Sequence, residues 1–462
     1  MSVFNGRRLP PEVFKLDTDR LPRGWYSDKY FLNTARLLGD LARSGYRFAG
    51  VAPDGVTCTD IDTGNLVVEM QIFTRRRPFS VIAGVDEALA ILEVATGYYD
   101  EGDRFVNTFD ALEVEAVQDG VILPYGGDPR DVLPVLRIRG RYRDFAVLET
   151  PILGALTEAT RVATNVYQVL TAANGKDLLF FPARFAHYKL QALHGYAYTL
   201  AVAAFNQKSG RRSGLYISTD EQGAWWGGRG GGTVPHAAIA CFLGDTAEAM
   251  VQFCKHSAPD IPRIALVDFH NDCVGDALRV MSRMFALYLD ELRAGRPEEA
   301  ERYRLFGVRP DTSSNLRDVS VAPIGDKRLD CGVTPRLVHN LRHAVDAAWR
   351  SWGVPPQWQD EARRWCEAVK IVATGGFKPD KIRRFEELDV PVDVYGVGSL
   401  LLNNSDAEGT SNDFTADVVR VRLDGRWTDM AKVGRRPCDN PLLERVNGKT
   451  GAQEPARASL SL

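Results

Sequence analysis

The residues best suited to chemistry lie where apolar runs end in the second half of the chain. Val308-Arg309-Pro310-Asp311-Thr312-Ser313-Ser314-Asn315 follows the run Tyr303 to Val308, and Tyr395-Gly396-Val397-Gly398-Ser399 follows the run Val390 to Tyr395. A strand feeding such a turn leaves backbone N–H groups free at the start of the next element, where phosphate oxygens are best received. Arg309 can grip a phosphate bidentately, while Asp311 can accept from ribose hydroxyls or hold a magnesium ion bound to pyrophosphate. Helix N-capping by Asp311 or Thr312 is the plainer role, and it is compatible with the first. Gly396 and Gly398 form a lone G-x-G, weak by itself; a preceding strand and the Ser399 hydroxyl make it a phosphate-loop candidate.

The run Gly227-Gly228-Arg229-Gly230-Gly231-Gly232-Thr233-Val234-Pro235-His236-Ala237 is the least ordinary segment. Glycines this dense have no packing value and a large ordering entropy, so they point to close backbone approach to a ligand or to a mobile lid. His236 follows directly, against the alternative of a core histidine satisfied by a carbonyl. Phe180, Phe181 and Arg184 end another strand, and Asp268, His270, Asn271 and Asp272 end a further one. An aromatic plane beside an arginine suits a flat, anionic aromatic substrate, although Phe181 is equally a core candidate. A carboxylate closing an apolar barrel strand, such as Asp268, points into the site.

The elements that must position these residues follow from length and periodicity. The 462 residues suggest two or three domains, one of them a barrel of about 250 residues. A hydrophobic share of 45% supports a large core, and a net charge of −3 gives no electrostatic case for nucleic acid despite the basic clusters Arg75-Arg76-Arg77 and Arg137 to Arg143. Seven scattered cysteines without C-x-x-C or metal spacing read as a reducing compartment. Met1 to Pro11 shows no apolar signal region, and the longest apolar stretch, Leu190 to Phe205, is shorter than the roughly 20 residues of a membrane span. A cytoplasmic protein is expected.

Residues 1–148 mix helical spacing (Tyr30 to Ser44, Ala83 to Ala95) with strand-like runs (Asn65 to Phe73, Val121 to Tyr125, Val132 to Arg139), which predicts an α+β domain. Residues 149–402 alternate strand and helix. The predicted strands are Leu178 to Phe181, Ser213 to Ser218, Val234 to Ala237, Ile264 to Phe269, Tyr303 to Val308, Lys370 to Ala373 and Val390 to Tyr395. Strands alternating with helices imply a parallel sheet with right-handed crossovers, and about seven such units imply a closed or nearly closed α/β barrel with its ligand at the C-terminal strand ends. Residues 403–446, with strand-like Asp413 to Trp427, are expected to return to the N-terminal domain, and residues 447–462 to form a mobile tail.

With these motifs in order, the chain resembles the nicotinate phosphoribosyltransferase family of type II phosphoribosyltransferases. The matching residues are Ser27-Asp28-Lys29-Tyr30, Glu69-Met70-Gln71-Ile72-Phe73 with Arg75 to Pro78, Leu148-Glu149-Thr150-Pro151-Ile152-Leu153-Gly154, Phe181 to Arg184 and Gly232 to Ala237. They continue with Val267-Asp268, Arg309-Pro310-Asp311-Thr312, Tyr395-Gly396-Val397-Gly398 and Ala431-Lys432-Val433-Gly434-Arg435, so that nearly the whole chain is covered.

The resemblance implies an irregular, incomplete α/β barrel plus a split α+β domain completed by the C-terminal segment, in a homodimer with shared active sites. It implies formation of nicotinate mononucleotide and pyrophosphate from nicotinate and phosphoribosyl pyrophosphate, coupled to ATP hydrolysis with Mg2+, in NAD biosynthesis. Arg309, Asp311, Gly396 and Gly398 would bind ribose and phosphate, and Thr219, Asp220, Thr233, Thr312, Gly375, Gly376 and Ser399 would be further substrate-binding residues. Phe181 and Arg184 would line the pyridine and phosphate site, Tyr30 would cover the ring from the partner subunit, and His236 matches the histidine phosphorylated by ATP. The chain departs from the family pattern at Pro182, where glycine is usual, and at Ala237, where serine is common. Asp220 suits the amide of nicotinamide better than a carboxylate, which keeps a nicotinamide phosphoribosyltransferase as an alternative. An aldolase-type sugar-phosphate enzyme would need a Schiff-base lysine or metal cluster that is not evident, and an inactive binding homologue would keep the glycines without turnover.

Overall fold

The computed structural model describes residues 7–51, 55, 57–232 and 234–446. Thr233 and the tail 447–462, on which two of the expectations fall, lie outside the described residues. The chain divides into two compact units, residues 1–164 with 404–462, and residues 165–403.

The first unit is built on a six-stranded antiparallel sheet. Its strand order is Arg426–Asp429, Phe414–Leu423, Val67–Thr74, Leu136–Arg141, Glu113–Ala116 and Glu444–Arg445. Phe414 pairs with Thr74 and Ala416 with Ile72, so the sequence beyond residue 403 completes this sheet, as expected from the split-domain pattern. Met70, Ile72, Leu136 and Ile138 join one core with Leu92, Leu148 and Leu156.

The second unit carries a six-stranded parallel sheet. We label its strands β1 (Asp177–Phe180), β2 (Tyr216–Ile217), β3 (Ile264–Leu266), β4 (Gly307–Arg309), β5 (Lys370–Ala373) and β6 (Val394–Val397). The order is β2-β1-β6-β5-β4-β3, which is the cyclic order of a barrel left open between β2 and β3. Helices separate the strands: α1 (Gln191–Ser209), α2 (Thr246–His256), α3 (Cys273–Arg293), α4 (Pro335–Ala347) and α5 (Pro379–Glu387). Apart from β2, where Tyr216 is exposed, the strands are short, largely buried apolar runs, as crossover helices demand. Leu179, Ile264, Val372 and Val394 pack inside the curl with Phe181 and Phe306, while Phe180 turns outward and stacks on Tyr198 at 4.7 Å.

One predicted strand is absent. Val234 has no regular structure, and His236 begins the helix His236–Cys241 with Pro235 as its N-cap. Proline removes the N–H that a ladder needs, and the alanines that follow favour helix over strand. The seven expected strands are therefore six, and the seam opens where the missing one would stand.

Candidate active site

The curl of the sheet gathers one cluster at the C-terminal strand ends of the second unit. Asp268 follows β3, held by the Val267 N–H donating to the Arg309 carbonyl at 3.2 Å. Across the seam, His236 Nε2 lies 3.0 Å from Asp268 Oδ1, with the imidazole 47% and the carboxylate 9% exposed. This pairing leaves Nδ1 as the ring nitrogen open to another group. Arg309 ends β4, and its Nη2 donates to the Val234 carbonyl at 3.4 Å, while its buried Nε has no acceptor among the described residues. Burial holds this guanidinium below its usual range, opposed by the charges of Asp311 and Asp268. Burial raises the Asp268 carboxyl; His236 pulls it back and the charge of Asp311 adds to the rise. An arginine Nε left without an acceptor among the described residues can donate to a ligand oxygen, since leaving that hydrogen bond unmade costs about 1–3 kcal/mol.

Asp311 is fixed from β5. Thr374 Oγ1 donates to Asp311 Oδ1 at 2.8 Å, and the Thr374 N–H donates to the Pro310 carbonyl at 3.2 Å. Next come Gly375 and Gly376 with φ of +95° and +64°, two consecutive left-handed residues beside Asp311 that a side chain would strain. From β6, Gly396 meets Thr374 and Phe181 so closely that a Cβ would sit 2.5 Å from Thr374 Cγ2 and 3.2 Å from the Phe181 ring. Gly398 likewise abuts the Phe185 ring, and Ser399 opens the short helix Ser399–Leu402. Phe181 packs on the interior core and borders a cavity of about 170 Å³ lined by Leu179, Ile264, Val372 and Val394. Arg184 is exposed on the turn Ala183–Phe185, 5.3 Å from the Phe185 ring.

Other candidates are engaged elsewhere. The Thr219 hydroxyl donates to Gln191 Oε1 at 2.8 Å, and Asp220 Oδ1 accepts the Gly230 N–H at 2.9 Å. With the Gly231 N–H donating to the Ile217 carbonyl at 2.8 Å, the glycine run is pinned back onto β2. Thr312 is buried against Cys273, its hydroxyl 3.4 Å from the thiol. Tyr30 belongs to the first unit, on the helix Lys29–Ser44, where it is 61% exposed. Thr374 and Lys381 were not singled out from the sequence. Thr374 carried a visible signal, a hydroxyl closing the apolar run Lys370 to Ala373 ahead of two glycines. Among the described residues no group of three or more His, Cys, Asp or Glu could hold a metal by itself, and no helix is long and apolar enough to cross a membrane.

The second unit is thus an open α/β barrel with arginine, carboxylates and glycine turns at its strand ends, and known proteins share this fold. The family described as quinolinate phosphoribosyl transferase, N-terminal domain, matches residues 55–160. The nicotinate phosphoribosyltransferase of Bacillus subtilis (strain 168) is 20% identical over 307 residues, 66% of this chain and 49% of that protein, so the match spans about half the length of that relative. The crystal structure of nicotinate-nucleotide pyrophosphorylase from Pyrococcus furiosus is similar with a TM-score of 0.59 and 23% identity, over 95% of this chain and 86% of that one. Human nicotinic acid phosphoribosyltransferase follows at 0.51 and 17%, over 86% and 74%. The chain therefore shares the fold of these phosphoribosyltransferases, and its residues 55–160 match one of their domain families.

Proposed function

We propose that this protein transfers a phosphoribosyl group from phosphoribosyl pyrophosphate to nicotinate, releasing pyrophosphate, as a step of NAD biosynthesis coupled to ATP. The observation that carries this reading is the half-buried Arg309, whose buried Nε has no acceptor among the described residues, in the field of Asp268 and of Asp311, the latter bordering the Gly375–Gly376 turn. Loss of pyrophosphate leaves an oxocarbenium-like carbon and a highly charged leaving group, so the protein's task is to position the ring nitrogen and neutralise oxygens rather than to supply a strong base. Arg309 and the glycine N–H groups serve the phosphates, and Asp311, oriented by Thr374, serves the ribose hydroxyls. Phe181 offers a flat face to the pyridine ring, and Arg184 a charge for its carboxylate.

Two carboxylates and no complete protein ligand set fit a magnesium ion carried largely by phosphate oxygens. Asp268 and Asp311 would hold it, and it would supply charge neutralisation to the departing pyrophosphate. For ATP coupling, Asp268 accepts from His236 Nε2 and leaves the Nδ1 lone pair to attack the γ-phosphorus, the bond from that phosphorus to its bridging oxygen breaking and ADP departing. Phosphorylation there adds about −1.5 to −2 of charge beside Arg309 and can order the phosphate-binding turns. The P. furiosus structure and the matched domain carry names from quinolinate and nicotinate-nucleotide chemistry, which makes the base the point to test.

The test is mononucleotide synthesis from nicotinate, nicotinamide and quinolinate in turn, with and without ATP, alongside labelling by γ-labelled ATP. Nicotinate is expected to be the preferred base, with acid-labile, base-stable label lost in His236→Ala. No mononucleotide from any base would overturn the reading, and label retained in His236→Ala would overturn the role of His236.

A further inference from the structure

Lys381 is a basic side chain in the second unit that the proposed reaction does not use, and its surroundings are unusual for an ammonium group. It lies on α5, and Nζ sits 4.1 Å from the centroid of the Phe377 ring and 5.7 Å from that of Phe385. Those two rings pack edge to face at 5.1 Å, so they form two walls of a box. The only hydrogen bond of Nζ among the described residues goes to the Gly375 carbonyl at 3.2 Å. The charged groups on surrounding elements are committed elsewhere. Glu386 holds Lys176 and the Tyr395 hydroxyl, Asp380 pairs with Arg383, and Asp311 accepts from Thr374. Burial pushes the Lys381 ammonium down to about 8. Enclosing an uncompensated ammonium is costly, which calls for something it does in return.

What it does is visible in the peptide it grips. A trans peptide points its carbonyl and the following N–H in opposite directions. A Gly375 oxygen tied to Lys381 therefore turns the Gly376 N–H away from Lys381, in a turn of two consecutive left-handed glycines. Such a turn has little stiffness of its own, because glycine has no steric preference to hold it. Successive N–H groups in turns of this kind form anion-binding concavities. On the other side, a Cβ on Gly375 would meet Asp311 Oδ1 at 3.3 Å, so this turn borders the sugar-phosphate cluster.

We propose that Lys381 is a positioning residue, which fixes the Gly375–Gly376 peptide from behind so that the turn presents its N–H groups to a phosphate of the sugar-phosphate substrate. The inference rests on the proposed phosphoribosyl transfer and adds the residue that holds one phosphate cradle in shape. Lys381 acts through the peptide and does not itself touch substrate.

The test compares wild type with Lys381→Met and Lys381→Gln. Methionine fills the space between the two rings without a donor, and glutamine keeps an N–H donor without the charge. KM for phosphoribosyl pyrophosphate, KM for the pyridine base and kcat are measured, together with calorimetric binding of ribose 5-phosphate. Lys381→Met is expected to raise KM for phosphoribosyl pyrophosphate and weaken ribose 5-phosphate binding by about tenfold, the effect of one lost charge-assisted hydrogen bond, with KM for the base and kcat within about threefold. Lys381→Gln is expected to recover at least half of that loss on a logarithmic scale. Unchanged ribose 5-phosphate binding in Lys381→Met overturns the inference and leaves the proposed reaction standing. A glutamine variant no better than methionine places the effect in charge alone and overturns the peptide clamp. Wild type that neither binds ribose 5-phosphate nor turns over phosphoribosyl pyrophosphate overturns both readings.

Discussion

Arg309 shows how much of a residue's role is set by what it lacks. Its Nη2 is tied to Val234, yet its Nε is buried without an acceptor among the described residues, and the charges of Asp311 and Asp268 oppose the pull of burial. Replacing it by alanine removes the charge that a bound phosphate would meet. Charge-assisted hydrogen bonds of this kind are worth roughly 1.5–3 kcal/mol, so Arg309→Ala is expected to lower kcat/KM for phosphoribosyl pyrophosphate by about 10- to 150-fold. Arg77, which lies over Gly127 in the first unit, is the control, and Arg77→Ala is expected to change that ratio by less than threefold. Steady-state kinetics on the two variants decides the matter, since equal small effects would remove Arg309 from the site. Arg309, Asp311 and Asp268 were legible in the sequence because strand ends are where a barrel displays polar groups. Lys381 was not, because its role depends on two rings and one carbonyl that only the folded turn brings around it.

At the scale of elements, what the sequence conveyed follows the kind of signal each element carries. The strands β1, β3, β4, β5 and β6 were readable as apolar runs punctuated by turns, and Phe414–Leu423 as alternation with interleaved charge. Val234 to Ala237 misled because four residues do not distinguish strand from helix by pattern, and Pro235 decided for the helix. The glycine run was legible as special but not as anchored. Its anchor, the Gly230 N–H on Asp220, pairs residues ten apart along a path that no periodicity describes. Asp220→Ala should release this clasp, and amide exchange at Gly230 is expected to accelerate about tenfold, the equivalent of roughly 1.4 kcal/mol for one hydrogen bond to a charged acceptor. The ratio of nicotinate to nicotinamide turnover should stay within twofold. Unchanged exchange with a shifted base preference would instead make Asp220 a contact to the substrate.

At the scale of the whole molecule, the chain separates into a unit that holds the reactive cluster and a unit built on a large antiparallel sheet, and their titration behaviour should differ. The first unit buries carboxyl groups around the helix Val85–Ala95. Burial raises Glu87 to about 7, and its Oε2 has no hydrogen-bond partner among the described residues. Asp119, which accepts from the Val85 and Asp86 N–H groups at the start of that helix, is raised to about 8 by burial and then by the charge of Asp86. A carboxyl that keeps its proton in the folded chain and loses it in the unfolded one leaves the unfolded chain with fewer bound protons. Unfolding free energy therefore falls as pH rises, from the ordinary carboxyl range up to about 7 for Glu87 and about 8 for Asp119, and levels off above. For Glu87 alone the fall is at most about 3 kcal/mol, because each tenfold gain in proton affinity on folding is worth about 1.36 kcal/mol. Glu87→Met removes the titrating group and the orphaned oxygen while keeping an unbranched side chain on a helix that favours it. Calorimetric melting at pH 5 and pH 8 should show Tm of the wild type falling between the two, and Glu87→Met losing a third or more of that fall while melting higher at pH 8. An identical pH slope in the variant would mean that Glu87 ionises in the folded chain as freely as in water, and that its place in the core carries no titration cost.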